Sequence, residues 1–113
     1  KDMIIRGGEN IYPSEIESVL LRHEAVLDAS IVGAPDKRLG EIVCAYIRVE
    51  EEYKMIDENV IIEKLLEHCK INLAKYKIPI HWKVVEQFPA TLSGKIKKFE
   101  LRKQCEDDFE LNL

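Results

Sequence analysis

Apolar residues recur along the chain with two different periods, and the switches between them predict its elements. Met3 to Ile5 and Ile11-Tyr12 flank Arg6-Gly7-Gly8-Glu9-Asn10, which predicts a short hairpin or bend whose glycines supply positive φ. Ile16, Val19, Leu20 and His23 then repeat at spacings of three and four, so residues 13–23 are expected to form an amphipathic helix. Pro13 suits its first turn, where a missing N–H costs nothing, and Glu15 and Glu17 complement the positive end of the helix dipole. Val26 to Val32 is β-branched, with apolar positions at Val26, Ala29 and Ile31, and predicts a strand ending in the turn chemistry of Gly33-Ala34-Pro35-Asp36. Ile42, Val43, Ala45, Tyr46, Ile47 and Val49 form the strongest strand signal, a partner for the preceding one, and Glu50 to Tyr53 breaks it.

Val60, Ile61, Leu65, Leu66, Cys69 and Leu73 return to helical spacing and predict a helix over 57–73 capped by Asp57. Tyr76-Lys77-Ile78-Pro79 reads as a connector, Ile80 to Val85 as a third strand, Pro89 to Lys95 as a loop, and Phe99 to Cys105 as a short helix. The acidic end, Glu106-Asp107-Asp108-Phe109-Glu110, is expected to be loose. Hairpin, α, β, β, α, β, loop, α is the order of an α+β domain, with helices on one or both faces of a small mixed or antiparallel sheet.

At 113 residues, with 46% apolar and 34% charged side chains, the chain has room for one domain with its own core, residues 1–113. It begins on Lys1, and a strand-like run follows almost at once, so a piece of a longer polypeptide is expected. A formal net charge of −4 disfavours a nucleic-acid partner held by phosphate neutralisation. No apolar run approaches the roughly 18 residues that read as a membrane helix, and no signal-peptide pattern opens the chain. Cys44, Cys69 and Cys105 are odd in number and fit neither a disulfide framework nor a zinc knuckle. They read as small apolar residues in a reducing compartment.

Candidate chemistry concentrates in Pro89-Ala90-Thr91-Leu92-Ser93-Gly94-Lys95-Ile96. Hydroxyls, a flexible backbone and a cation in one loop are the parts that hold phosphate or carboxylate. It is not a Walker A loop: Ile96 stands where a Ser or Thr would ligate magnesium, and the upstream glycine is absent. Alone, the string reads sooner as an exposed turn than as a catalytic site. Lys95, Lys97, Lys98, Arg102 and Lys103 gather positive charge around it, either as a solvated helix face or as an anion site. His23, His68 and His81 accompany no nucleophile elbow, and the acidic runs Glu50-Glu51-Glu52 and Glu106-Asp107-Asp108 read as solvated rather than as metal sites. No metal-ligating set is assigned.

Taken together, three segments are more specific than any one. Lys1-Asp2-Met3-Ile4-Ile5-Arg6-Gly7-Gly8-Glu9-Asn10-Ile11-Tyr12-Pro13-Ser14-Glu15-Ile16-Glu17 resembles the hinge motif of adenylate-forming enzymes, the superfamily of acyl-CoA synthetases, peptide-synthetase adenylation domains and firefly luciferase. Leu73-Ala74-Lys75-Tyr76-Lys77-Ile78-Pro79 resembles the family's next landmark, and Pro89 to Ile96 its last. The chain is similar to the small, mobile C-terminal domain of that family, most like medium-chain fatty acyl-CoA ligases.

The resemblance implies an acid–thiol ligase that uses ATP to make an acyl-adenylate and then passes the acyl group to CoA. The small domain turns between two orientations, one per half-reaction. Lys95 would be the catalytic, ATP-contacting lysine, Lys1 the hinge, and Gly7, Gly8 and Glu9 the lining of the pantetheine tunnel. Lys70 and Arg38 are candidates for the CoA phosphates, and Asn10 stands where some relatives carry arginine. Its partners would be its own large N-terminal domain, a carboxylic acid (a fatty acid above all), ATP and CoA, with magnesium bound mainly by the N-terminal domain. The setting would be intracellular, cytoplasmic or mitochondrial matrix, and the fragment alone inactive. Two rivals remain: an adenylation domain that loads a carrier protein, and a non-catalytic binding module.

Overall fold

The uninterrupted apolar run Ile42–Ile47 is buried at every position, and the other elements are arranged to cover its two sides. The computed structural model describes residues 2–111. Strands β1 (Ile4–Arg6), β2 (Glu9–Ile11), β3 (Val26–Asp36), β4 (Gly40–Val49) and β5 (His81–Val84) form one mixed sheet, accompanied by helices α1 (Pro13–Leu21), α2 (Glu58–Asn72) and α3 (Lys98–Asp108). One edge of β4 pairs antiparallel with β3, from Asp36↔Gly40 to Val26↔Val49. The other edge takes β1 antiparallel at Arg6↔Gly40 and β5 in parallel, from Cys44↔His81 to Ile47↔Val84. A parallel neighbour needs a crossover, and α2 supplies it between β4 and β5.

Successive residues of β4 face opposite layers. Val43, Ala45, Ile47 and Val49 pack against Ile16 and Leu20 of α1 and Ile61 and Leu65 of α2. Ile42, Cys44 and Tyr46 pack on the other face against Leu101 and Cys105 of α3. A strand covered on both faces reads as a continuous apolar run rather than an alternating one, which is why its signal is so strong. Asp57 caps α2 as expected, its carboxylate accepting from the Asn59 N–H at 2.8 Å.

The structure corrects two expectations and trims a third. Gly33-Ala34-Pro35-Asp36 is not a turn: β3 continues through it to Asp36, and the chain reverses at residues 37–39. There Asp36 Oδ2 accepts from the Leu39 N–H at 2.8 Å and the Arg38 N–H at 3.1 Å. Gly33 serves close approach instead, since a Cβ would lie 2.7 Å from Glu41 Oε2 and 3.1 Å from Ile4. Pro35 is tolerated because β3 is an edge strand. Nor is the acidic end loose, for α3 runs on through Asp108. Finally, α1 stops at Leu21, which leaves His23 in the following turn, where its Nδ1 accepts from the Ala25 N–H at 3.1 Å.

Tyr46 explains the longer α3. Its ring is wholly buried, and its hydroxyl donates to Asp108 Oδ2 at 2.7 Å. Burial first, and the hydrogen bond to Asp108 second, push the phenol upward, so it stays a donor at physiological pH. Lys83 approaches the other oxygen of Asp108 at 3.3 Å. Tyr46→Phe keeps the ring and deletes this tie, so it is expected to lower stability by about 1–2 kcal/mol. Urea unfolding should show this as a lower midpoint at unchanged slope. An unchanged midpoint would mean that the Tyr46–Asp108 hydrogen bond does not hold the end of α3.

Candidate functional site

Residues Pro89 to Lys97 fold back as a tight loop: Ala90 bridges Ile96, the Thr91 N–H donates to Lys95 O at 2.8 Å, and the Lys97 N–H donates to Pro89 O at 2.8 Å. Gly94, at φ +91°, donates its N–H to Thr91 O at 2.9 Å and closes the turn in a conformation that other L-residues resist. Thr91 Oγ1 lies 3.0 Å from Ser93 Oγ and accepts from the Lys95 N–H at 3.1 Å. The loop hydroxyls, expected as anion ligands, are thus engaged with one another and with the loop's own backbone. Lys95 is exposed, and among the described residues its ammonium has no carboxylate within ion-pair distance.

The rest of the basic run divides. Lys97 lies 3.6 Å from Glu100, while Lys98 Nζ lies 2.7 Å from Asp2 Oδ2 and 2.7 Å from Glu17 Oε2. Lys98 is therefore neutralised internally, and Lys95 is not. Asp2, Gly94, Lys95, Ile96, Lys98 and Arg102 line an open groove of about 670 Å³. Lys1, the expected hinge, lies outside the described residues.

Gly7 and Gly8, at φ +55° and +86°, are the central pair of the two-residue turn between β1 and β2, and both positive angles mark it as type I′. The Gly7 N–H donates to Leu39 O at 2.8 Å. A Cβ on Gly7 would come within 3.2 Å of Leu39 Cδ2, whereas one on Gly8 would meet nothing within 4 Å. Glu9 is exposed in β2. Neither this turn nor Lys70 reaches the Lys95 groove: Lys70 is exposed in the last turn of α2, 3.3 Å from Glu67. Arg38 is exposed on the turn that receives the Gly7 amide, and Asn10 is exposed opposite Ile5.

Sequence reasoning missed two features. One is the tie between Lys98 and Asp2, partners 96 residues apart; the basic run pointed to the lysine but nothing pointed to its carboxylates. The other is a second open groove, of about 670 Å³, lined by Arg6, Leu66, Tyr76, Ile78, Ile80 and Trp82 among others. Its wall is the segment that periodicity treats as a mere connector.

Other reactive groups are occupied. Cys44, Cys69 and Cys105 are free thiols and buried; burial pushes Cys69 up to about 11. The hydrogen bond from Cys44 to Cys105, and burial after it, push Cys44 up as well, while the same hydrogen bond draws Cys105 down; Cys44 and Cys69 are therefore poor nucleophiles at neutral pH, and Cys105 is wholly buried. His68 Nε2 bonds to Val19 O at 2.7 Å, and its ring meets His23 edge-on at 5.2 Å. Among the described residues no three His, Cys, Asp or Glu side chains converge as a metal needs.

Residues 15–95 match the AMP-binding enzyme C-terminal domain family. The chain is 46% identical, over 98% of its length, to "Medium-chain acyl-CoA ligase ACSF2, mitochondrial" of Mus musculus, of which it spans 17%. Among solved structures it superimposes on a Mycobacterium tuberculosis fatty acyl CoA synthetase with TM-score 0.81 at 37% identity, covering 95% of this chain and 20% of that one. A Brucella canis acyl-CoA synthetase gives TM-score 0.85 at 35% identity, covering 98% of this chain and 20% of that one.

The glycine turn yields a graded expectation. Gly8→Ala should cost about 1–2 kcal/mol, because its left-handed φ strains an alanine even in open space. Gly8→Asn should cost less, since asparagine tolerates that region. Gly7→Ala should cost most, because Leu39 must also move. Thermal unfolding of the three variants orders them, and equal losses would contradict the type I′ assignment.

Proposed function

The chain belongs to the family of AMP-binding enzyme C-terminal domains, and we propose that it serves as the mobile C-terminal domain of an ATP-dependent, AMP-forming acyl-CoA ligase. In the first half-reaction a carboxylate attacks the α-phosphate of ATP and pyrophosphate leaves, giving acyl-AMP. In the second, the CoA thiol attacks the acyl carbon and AMP leaves. The fatty acid, ATP and its magnesium are taken up by a large N-terminal domain. The mitochondrial medium-chain ligase among the relatives favours a medium-chain acid and an intracellular setting, cytoplasmic or mitochondrial matrix.

One observation carries this reading: Lys95 is exposed on a glycine-closed loop, and its charge is unmatched among the described residues. A lysine held in this way can bridge an incoming carboxylate and the α-phosphate, where negative charge accumulates as the new P–O bond forms. It transfers no proton. Its work is electrostatic, and it depends on delivery into a site closed by the partner domain.

Turning about Lys1 would withdraw the lysine loop and bring Gly7, Gly8 and Glu9 toward the acyl-adenylate as a wall of the pantetheine channel. The absence of anything within 4 Å of a Cβ on Gly8 is compatible with a thiol passing there. Lys70 and Arg38 are exposed cations that could meet the CoA phosphates.

In the full-length enzyme, Lys95→Ala should lower carboxylate-dependent ATP–pyrophosphate exchange at least about 100-fold, the scale for removing an electrostatic group from a transition state. Thioester formation from preformed acyl-AMP should be unchanged. Equal loss of both steps would reject the role given to Lys95, and acylation of a carrier protein's phosphopantetheine in place of CoA would reject the ligase. The 113-residue chain alone should form no acyl-AMP.

A further inference from the structure

We infer that Lys98 is a positioning residue that locks the chain's leading segment onto the base of the catalytic-lysine loop and so fixes where Lys95 is delivered; this rests on the ligase reading above. Lys98 is the first residue of α3, where the helix dipole repels a cation. It is nonetheless largely covered, its side chain 22% exposed, and a cation so placed needs close compensation. Two carboxylate oxygens provide it, each at 2.7 Å.

These two carboxylates belong to different parts of the molecule. Glu17 is on α1, which packs on the opposite side of the sheet from α3, and its Oε2 also accepts the Ile31 N–H at 2.9 Å, fastening it to the free edge of β3. Asp2 is the residue next to the proposed hinge, and its carboxylate bonds to Lys98. A single ammonium therefore joins the segment that leaves the hinge, the edge of the sheet and the start of α3.

Lys98 and Lys95 are three residues apart and line the same groove, together with Asp2. When the domain pivots, motion at the hinge reaches the Lys95 loop by two routes: the long path through the sheet, and the direct path Asp2–Lys98. Without the direct path the leading segment and the loop can shift relative to one another. A displacement of about 1 Å at a reacting centre is enough to cost on the order of 100-fold in rate. Lys98 touches neither reacting atoms nor substrate in this scheme, and its charge is spent on its two carboxylates.

The test uses full-length ligase carrying Lys98→Met, Lys98→Arg, Asp2→Asn and the double change Lys98→Met/Asp2→Asn. Lys98→Met should lower kcat for acyl-adenylate formation about tenfold or more, with KM for ATP and carboxylate within twofold. Thioester formation from preformed acyl-AMP should keep its rate. Lys98→Arg should recover most of the loss, because a guanidinium can also span two carboxylates. Asp2→Asn, at a half-exposed residue, should reproduce part of the defect at unchanged melting temperature. The double variant should be no worse than Lys98→Met alone.

The inference is overturned if Asp2→Asn and Lys98→Met leave adenylation untouched, or if both half-reactions fall together with the melting temperature. If Lys95→Ala abolishes adenylation in the same series, such a result removes the lock and leaves the ligase reading standing. If Lys95→Ala is also silent, the ligase reading itself falls.

Discussion

From Ile42 to Ile47 strand β4 has no solvent face, and this constraint orders the rest of the structure. Six consecutive buried residues, Ile42 to Ile47, demand a layer on each side. The first layer, α1 and α2, flanks the sheet-forming strands closely in sequence. The second is α3 alone, and it can be reached only after the chain has crossed over to β5 and come back around. The segment that makes this return is the Lys95 loop. Its base is therefore fixed by everything that seats α3: Leu101 and Cys105 against Cys44 and Tyr46, and the Tyr46–Asp108 hydrogen bond. A candidate functional loop on a rigid footing is what α3 makes possible by completing the core.

The loop's internal bonding then decides which of its groups remains available. Both hydroxyls and the amides of Thr91, Gly94, Lys95 and Lys97 are hydrogen-bonded within the turn, which holds the loop's shape before a ligand arrives. The ammonium of Lys95 is the exception. In open solvent an exposed charge is cheap to hold and weak in effect, about 1 kcal/mol against a unit charge at 4 Å. At the effective dielectric near a protein surface the same pair is worth about 4 kcal/mol. In the proposed cycle the lysine therefore waits in water and acts only once the partner domain has closed over it.

Local features were legible in the sequence and distant ones were not. The glycine pair announced its own turn, Asp57 its own cap, and the two-sided burial of β4 its own apolar run, since each depends on neighbours a few residues away. Gly33 and Pro35 misled because a glycine required for close passage of Ile4 and a proline allowed on an edge strand spell the same string as a turn. The length of α3 was hidden for a related reason: what turns three carboxylates from a tail into a helix end is a tyrosine 62 residues upstream. The motif pointed to Lys95 but said nothing of its surroundings, in which Lys97 and Lys98 have carboxylate neighbours and Lys95 has none among the described residues.

The separation of the two candidate regions bears on why the whole domain would move rather than a loop. Lys95 shares its groove with Asp2, Lys98 and Arg102, whereas the glycine turn docks on Leu39 and its base, Arg6, opens onto the groove of Tyr76, Ile78 and Trp82. Neither of these two grooves contains both. Each region is also pinned to the common sheet, one through α3 and the other through β1 and the β3–β4 turn, so neither can travel to the other without breaking the core. A single acyl-adenylate could then meet both only in succession, by rotation of a body that stays rigid while a few dihedrals at its leading end take up the change. The two proposed half-reactions on one substrate position, and two separately anchored regions on one sheet, are the same requirement seen from the chemistry and from the fold.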